Sequence, residues 1–198
     1  MGQAHHDHNG DEQHKGGGTF PQGQKKADTL TQYVFRGRRL SVKLAYLPLP
    51  SGKLVFREVV EHPGAVAVLP LLERDKILLL KQYRPAIGKW IYEIPAGTVE
   101  KGEDYLECAR RELEEETGYK ARRMEKLFEM YLAPGYSTEK LHSFLASDLE
   151  PSSPRRDLGE EIKVVKVPFE KALKMIESNR IEDAKTIATL LFFFTKKR

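Results

Sequence analysis

The order of the sequence patterns predicts an α/β protein, either an α+β fold or a sandwich of helices around a mixed sheet. Most segments after residue 29 carry apolar residues in short or alternating runs, which is typical of strands. Helical spacing of apolar residues occurs at only a few separated places, and the sequence has no internal repeat. Strands interrupted at separate points by helices predict a sheet that the helices cover.

The chain begins with a polar segment. Residues 1–28 are rich in Gly, Gln, His and Lys and poor in apolar side chains, so we expect a disordered tail. Four of the six histidines lie in this tail, and a metal-binding role is one interpretation. We favour an adventitious extension, because no folded scaffold would hold those imidazoles in a fixed geometry.

Strands are predicted directly after the tail. Residues 33–47 alternate apolar and polar side chains around a break at 36–39, which predicts a bent strand or a hairpin. Residues 54–61 predict a further strand. We therefore expect an N-terminal β subdomain over 29–61 and a main domain over 62–198.

The main domain is predicted to combine further strands with helices. Helical spacing predicts one helix over 104–117, a second that begins at Pro168 and a third over 183–195. Apolar runs bounded by turn residues predict strands at 65–72, 76–82, 90–94, 124–132, 140–146 and 162–167.

The predicted helix over 104–117 has one apolar side. Leu106, Ala109 and Leu113 form its expected core stripe, and Gly118 is its expected C-cap. The acidic residues of this helix lie about a quarter-turn away from that stripe. One side of the helix is therefore expected to pack on the sheet while the other holds charge.

Three glutamates are clustered on the acidic side of this helix. Because each residue advances by ~100°, Glu115 lies ~60° to one side of Glu112, and Glu116 lies ~40° to the other. Like charges at this spacing repel, and each pair costs a few tenths of a kcal/mol. A hard divalent cation would replace the repulsion with coordination, since such cations prefer carboxylate oxygens. A solvated charged helix is the alternative, but it does not account for the glycines on either side.

These acids belong to a longer motif, which resembles the Nudix box of the Nudix hydrolases. It departs from the box only at the last position, where Tyr119 replaces an aliphatic residue. The resemblance implies a Nudix-type α/β/α sandwich with a mixed central sheet and an N-terminal antiparallel β subdomain. The residues at the other fixed positions are Gly97, Glu103, Arg111, Glu112, Leu113, Glu115, Glu116 and Gly118.

The resemblance also implies that the box binds Mg²⁺, or Mn²⁺ in its place, for the hydrolysis of a diphosphate. Glu112 and Glu116, one helical turn apart, are the first expected ligands, and Glu115 is a further ligand or a catalytic carboxylate. The carbonyl of Ala96 is implied as another ligand. The remaining box residues have implied supporting roles: Gly97 admits a close backbone approach, Arg111 orients the glutamates, Glu103 has a structural or water-mediated role, and Gly118 ends the helix.

Segments outside the box resemble the ADP-ribose pyrophosphatases among these hydrolases. The matching segments are 61–68, 82–85, 90–97 and the stretch around Pro134. A simple Pro-Gly turn is the alternative explanation of Pro134 on its own. This subfamily acts as a homodimer, so we expect residues 29–61 to pack across a two-fold axis.

The subfamily resemblance assigns substrate contacts to individual residues. Arg84 is expected to clamp the diphosphate, a role that suits a planar bidentate donor. Glu93 is an expected ribose or water contact, and Pro134 is expected on the substrate side. Arg57 is expected to reach the adenosine side of the other subunit's substrate.

An acidic loop before the last predicted strand is the expected location of the general base. Glu160 matches the position of a base or metal ligand in the subfamily best, and Glu161 is second. A solvated acidic loop is the alternative and the commoner case.

Composition narrows the classes of function. The 198 residues carry a net charge of +4 that is spread along the chain, which argues against a nucleic-acid partner. Cys108 is the only cysteine, so an intrachain disulfide is impossible, and we expect a reducing, cytoplasmic location. The sequence contains no apolar run of membrane-spanning length, and we expect no membrane partner.

The sequence thus predicts a Mg²⁺-dependent hydrolase that cleaves ADP-ribose to AMP and ribose 5-phosphate. The first alternative is a pyrophosphatase for another nucleoside-diphosphate sugar or a dinucleotide. A non-catalytic module that senses ADP-ribose is a second, less favoured because every carboxylate of the box is present. An RNA-binding or decapping protein would need a denser basic patch.

Overall fold

The computed structural model describes residues 31–154, 159 and 161–197. The predicted tail over 1–28 and the candidate base Glu160 lie outside these residues. The described helices are α1 (Tyr105–Thr117), α2 (Phe169–Glu177) and α3 (Ala184–Lys197). The described strands are β1 (Thr31–Arg36), β2 (Ser41–Pro48), β3 (Leu54–Glu61), β4 (Ala65–Leu72), β5 (Lys76–Arg84), β6 (Lys89–Glu93), β7 (Ala96–Thr98), β8 (Tyr119–Tyr131), β9 (Lys140–Pro151) and β10 (Ile162–Pro168).

The strands form two sheets. Strands β1, β2 and β3 make a small antiparallel sheet. The large sheet has the order β10-β5-β4-β9-β8, with β6 beside β5 and β7 beside β4. Its β4–β9 pair is parallel and its other pairs are antiparallel. The predicted mixed central sheet and N-terminal antiparallel strands are therefore confirmed.

Helices cover both faces of the large sheet. Along β4, Val66 and Val68 pack with Leu113 of α1, whereas Ala67 and Leu69 pack on the opposite face with α2 and α3. This alternation follows from the two-residue period of a strand, and it explains why β4 is apolar at nearly every position. The α/β/α sandwich is thus confirmed.

Local signals fix both ends of α1. The Asp104 side chain caps the first turn by accepting the N–H groups of Leu106 and Glu107 at 2.7 and 3.0 Å. At the other end, Gly118 adopts the left-handed conformation with φ 73°, and its N–H donates to the Glu114 carbonyl at 2.8 Å. The predicted C-cap is therefore confirmed.

The predicted core stripe of α1 is wrong at Leu106, which is 40% exposed. Tyr105 covers the sheet in its place, because its ring stacks on His142 of β9 with the ring centroids 3.6 Å apart. Cys108, Ala109 and Leu113 are fully buried and complete the contact.

The end of β3 connects the small sheet to the segment between β8 and β9. The N–H of Val60 donates to the Tyr136 carbonyl at 2.8 Å, and the Thr138 N–H donates to the Val60 carbonyl at 3.0 Å. The small sheet and its turns leave many large apolar side chains exposed, namely Val34, Phe35, Leu40, Tyr46, Leu47, Leu49 and Leu54.

Within the described residues, no helix is long and apolar enough to cross a membrane.

Candidate active site

A cavity of about 1030 Å³ opens where α1, β7 and the start of α3 meet. Most of the residues predicted from the box line it together, although they come from separate elements. Arg84, at the end of β5, lines the same cavity. The residues of the box that line the cavity are Gly97, Arg111, Glu112, Glu115 and Glu116. Ala96, which directly precedes the box, lines it as well.

Glu112 of α1 packs against the backbone of Gly97 in β7. A Cβ atom built on Gly97 would overlap the Glu112 carboxylate. Gly97 pairs with Val66 of the buried strand β4, so its backbone has little freedom to retreat. Glycine is therefore required at position 97 for the carboxylate to lie against the strand.

A second carboxylate lies beside the first. Glu116 is 5% exposed, and its Oε2 atom accepts the N–H of Ala96 at 3.0 Å. Two glutamates one helical turn apart thus contact two successive residues of β7. Sequence spacing predicted this pairing from the helix, and the strand fixes where it occurs.

The donor set fits a hard divalent cation. Among the residues that the structure describes, no three acidic, imidazole or thiol side chains converge closely enough to form a metal site alone. A cation beside Glu112 and Glu116 would therefore also draw on main-chain oxygen, such as the Ala96 carbonyl. The space left by the missing side chain of Gly97 and the all-oxygen donors match the preferences of Mg²⁺ and Mn²⁺.

Arg111 connects three of the glutamates. Its Nε and Nη2 atoms donate to the two carboxylate oxygens of Glu103 at 2.8 and 3.0 Å. Its Nη1 atom donates to Glu112 at 2.7 Å and to Glu115 at 3.2 Å. The hydrogen bond from Arg111 lowers the pKa of Glu103 to about 2, and Glu103 in turn raises the pKa of Arg111. The guanidinium therefore holds Glu112 and Glu115 at fixed angles to the helix.

Cys108 lies under this ion-pair network and is completely buried. Burial raises the pKa of its thiol, and the nearby charge of Glu103 raises it further. A thiol that resists ionisation is a poor nucleophile. Cys108 is therefore a packing residue.

Arg84 forms a fork-shaped ion pair with Glu93 of β6. Its Nε and Nη2 atoms donate to the two carboxylate oxygens at 2.7 and 3.0 Å. Burial acts to lower the pKa of Arg84, but the hydrogen bonds and charge of Glu93, together with the charges of Glu116 and Asp183, outweigh it, and the pKa is raised. Glu93 is only 2% exposed and lies behind Arg84, outside the lining of the cavity.

The start of α3 contributes two charged lining residues that sequence reasoning missed. Lys185 donates to the Glu93 carboxylate and, at 2.8 Å, to Asp183. Asp183 also caps α3, accepting the Thr186 N–H at 2.9 Å. An aspartate three residues before a threonine at the start of an apolar helix is a recognisable cap signal. The contact to Glu93, 92 residues earlier in the chain, has no sequence signal.

The remaining predicted residues lie away from the lining. Arg57 is exposed on β3 and donates to the Phe56 carbonyl at 2.7 Å. Pro134 is also exposed, although its neighbour Leu132 lines the cavity. Glu161 is exposed, and its carbonyl accepts the N–H of Tyr83 at 3.1 Å, which brings the end of the acidic loop next to Arg84.

The cavity combines an acidic wall with basic groups. Arg38 and Arg39, from the turn between β1 and β2, line it together with Lys101. Sequence reasoning treated 36–39 only as a break between strands. Basic side chains can bind the phosphate groups of a ligand, and the nearby carboxylates can bind a divalent cation that accompanies it. The cavity therefore suits a ligand that carries phosphate groups together with a divalent cation.

Comparison with known proteins identifies the family of the chain. The family model of the NUDIX domain matches residues 61–190. The chain is 41% identical over 168 residues to the ADP-ribose pyrophosphatase of Bacillus subtilis (strain 168), which covers 84% of this chain and 91% of that protein. It is 35% identical over 153 residues to the GDP-mannose pyrophosphatase of Salmonella paratyphi B, covering 70% of this chain and 78% of that one.

A solved structure shares the fold. It is described as an ADP compounds hydrolase, and it superposes with a TM-score of 0.72 at 25% sequence identity. The match covers 83% of this chain and 90% of the other. The chain therefore belongs to the Nudix hydrolase family, as the motif from Gly97 to Tyr119 predicts.

Proposed function

We propose that this protein hydrolyses the diphosphate of ADP-ribose to AMP and ribose 5-phosphate, with Mg²⁺ as its cofactor. One observation carries the proposal: Glu112 and Glu116 contact the Ala96–Gly97 backbone in the same cavity that the Arg84 guanidinium lines. The similarity to an ADP-ribose pyrophosphatase over most of both chains supports the choice of substrate.

Arg84 binds the substrate diphosphate. Glu93 occupies one edge of its guanidinium, so the other edge is available to donate to phosphate oxygens. Arg38, Arg39 and Lys101 add positive charge at the same cavity, which favours an anionic ligand. The expected contact of Glu93 with ribose or water stays a prediction.

Glu112, Glu116 and the Ala96 carbonyl would hold Mg²⁺, or Mn²⁺ in its place, and Glu115 would be a further ligand through water. When bound, the cation would neutralise phosphate oxygens and so ease nucleophilic attack at phosphorus. Arg111 holds Glu112 and Glu115 in orientation through direct hydrogen bonds.

A carboxylate from the acidic loop is the proposed general base, with Glu160 first, Glu161 second and Glu115 third. A base must come within hydrogen-bond reach of the attacking water. The hydrogen bond from Tyr83 to the Glu161 carbonyl anchors Glu161 next to the residue that precedes Arg84. That anchor supports a loop carboxylate in preference to Glu115, which Arg111 already engages.

We propose that the protein acts as a homodimer, with the 29–61 unit at the interface and 62–198 as the catalytic unit. The exposed apolar residues of the small sheet support this, because monomers rarely leave such clusters open to water. In the dimer, exposed Arg57 would contact the adenosine side of the partner's substrate, and Pro134 would border the same site. A single, buried cysteine supports a cytoplasmic location.

A nucleoside-diphosphate sugar such as GDP-mannose is the second candidate substrate, because a GDP-mannose pyrophosphatase is also a relative. Product analysis over a panel tests both. With Mg²⁺ present, we expect AMP and ribose 5-phosphate from ADP-ribose, at a higher kcat/KM than GDP-mannose or diadenosine polyphosphates give. A wide margin in favour of another substrate would refute the ADP-ribose assignment. If none of these substrates were hydrolysed, the proposed enzymatic function would be refuted.

A further inference from the structure

A chain of four charged side chains runs from the start of α3 to the cavity face of Arg84. Asp183 contacts Lys185, Lys185 contacts Glu93, and Glu93 contacts Arg84. None of the sequence motifs assigns a role to Asp183 or Lys185. The inference drawn from them rests on the proposed function, in which Arg84 binds a diphosphate.

Glu93 is the centre of this chain. It is 2% exposed, and a carboxylate so buried is costly unless cations compensate it. Arg84 supplies one positive charge and Lys185 supplies a second, while Asp183 balances the excess. The four formal charges cancel, so the network is neutral as a unit.

A second contact fixes the same two elements. The N–H of Ile94, next to Glu93, donates to the Thr186 hydroxyl at 2.9 Å, and that hydroxyl donates to Asp183 at 2.6 Å. The first turn of α3 is therefore joined to the end of β6 by neighbouring polar contacts. Lys185 has a fixed position from which it can hold Glu93.

The orientation of Arg84 depends on Glu93. The fork uses Nε and Nη2, and Nη1 donates to no group among the described residues. Because the fork is planar, a fixed Glu93 directs the Nη1 edge to one side. Arg84 lines the cavity, whereas Glu93 does not, so this edge is the donor available to an anion.

A direct phosphate contact by Lys185 is the competing interpretation. The ammonium has three hydrogens, and Glu93 and Asp183 accept two of them. The side chain of Lys185 is only 13% exposed. Asp183 also occupies the N–H of Thr186, which removes a main-chain donor that would help bind phosphate there. These contacts favour an indirect role.

We propose that Lys185 is a positioning residue, which holds Glu93 in place and thereby orients Arg84 toward the diphosphate of the substrate. Its effect on ligand binding then requires Arg84. A lysine that bound phosphate by itself would act whether or not Arg84 were present.

A double-mutant cycle separates these roles, with ADP as the diphosphate probe in calorimetric titrations. We expect K185M to weaken ADP binding by about tenfold in the wild-type background and by less than about twofold in R84A. K185R is expected to recover part of the loss, because it keeps the charge. Equal losses in both backgrounds would overturn the proposal, as would no loss of affinity on R84A or K185M.

The matched control is K89M. Lys89 lies on the same strand as Glu93 and pairs with Glu182 near the same helix, at 2.7 Å, but 49% of its side chain is exposed. We expect K89M to leave ADP binding unchanged. An equal loss on K89M would show that any lysine near α3 matters, and it would overturn the specific role of Lys185.

A substrate-independent measurement keeps this test distinct from that of the proposed function. The Nε–H of Arg84 should give a protected, shifted NMR signal, which R84K would identify by removing it. We expect K185M to broaden or move that signal, and an unchanged signal would overturn the positioning role. If K185M does not fold, E93Q tests the same chain of contacts. An unchanged Arg84 Nε–H signal in E93Q would also overturn the positioning role of Lys185. If the wild type did not hydrolyse ADP-ribose, the proposed function would be refuted. The NMR result on the positioning of Arg84 would still stand.

Discussion

The Glu112 carboxylate occupies the volume that a side chain at position 97 would fill. A helix residue and a strand residue thus share one small space in the lining of the cavity. Because the overlapping atoms are the far end of a flexible side chain, a larger residue at 97 would displace Glu112 more readily than it would unfold the sheet. The pair therefore links a glycine of the motif to the position of a carboxylate that we propose as a metal ligand.

The first prediction concerns G97A. We expect the fold to persist, with Glu112 moved off β7, and the Mg²⁺-dependent hydrolysis of ADP-ribose to fall by about 10²-fold or more. Steady-state kinetics and a Mg²⁺ titration measure the loss. G135A is the control, because a Cβ there meets nothing within 4 Å. Equal activity of G97A and G135A would contradict the close approach.

The second prediction concerns Glu116, the more buried of the two carboxylates. E116Q keeps the shape and the contact to Ala96 but removes the charge, so we expect kcat to fall at least ~10²-fold with the melting temperature nearly unchanged. The control is E107Q on the exposed side of the same helix. Unchanged Mg²⁺-dependent turnover in E116Q would refute its role as a ligand.

The third prediction concerns Arg111. R111K keeps the charge but loses the planar fork that reaches Glu103 and Glu112 together, so we expect both activity and stability to fall, the latter by about 1–2 kcal/mol. Urea unfolding measures the second effect. R122K is the control, since Arg122 pairs with exposed Glu150 at the surface. A loss in R111K no larger than that in R122K would contradict the structural role of the fork.

The carboxylate of Glu103 gives a related prediction about acid. Its folded-state pKa of about 2 is below its ordinary value of 4.5. The ionised form is therefore favoured by folding, and this contribution to stability is full above about pH 4.5 and is lost as the pH falls toward 2. We expect the difference in unfolding free energy between wild type and E103Q to shrink over that interval. A difference independent of pH would contradict the ion pair.

Sequence alone predicts those relations in the site that join residues close together along the chain, and it misses those that join distant residues. The relation among Glu112, Glu115 and Glu116 follows from helical geometry, and the cap at Gly118 follows from backbone conformation; both are local. Strand β7 was missed because three residues are too few to show a period. The contact of Lys185 with Glu93 depends on how α3 docks against the end of β6, which no local pattern encodes.

The error at Leu106 has a similar cause. Helical spacing correctly placed Ala109 and Leu113 on the face of α1 that packs on the sheet. It did not show that Tyr105 would cover the sheet at the first turn. A periodic pattern identifies the face of a helix, whereas competition between neighbouring side chains decides which of them is buried. That competition depends on His142, a residue of another element.

The small sheet leads to a prediction about assembly. Val34 and Leu54 are more than half exposed, and an aspartate at either would be costly inside an apolar interface. We expect the wild type to be a dimer in light-scattering measurements, and V34D or L54D to shift it toward monomer. L106D is the control, because Leu106 is an exposed leucine on α1, outside the small sheet. A monomeric wild type would refute the proposed dimer.

The last prediction concerns His142, which is 6% exposed under the ring of Tyr105. Its Nε2 atom has no hydrogen-bond partner among the described residues. Burial lowers the pKa of His142, helped by Lys126 and Lys140 and opposed by Glu129. Folding thus favours the neutral imidazole, so its contribution is full above the ordinary pKa of 6.5 and falls as the pH drops below that value.

H142F tests this directly, because it keeps an aromatic ring against Tyr105 and cannot titrate. We expect the unfolding free energy of the wild type to decrease between about pH 7 and pH 5, and that of H142F to decrease less. Parallel urea titrations across this interval measure the two slopes. The window lies above the one in which Glu103 acts, so the two groups can be told apart in one series. Equal slopes would mean that His142 is protonated as readily in the folded protein as in the unfolded chain.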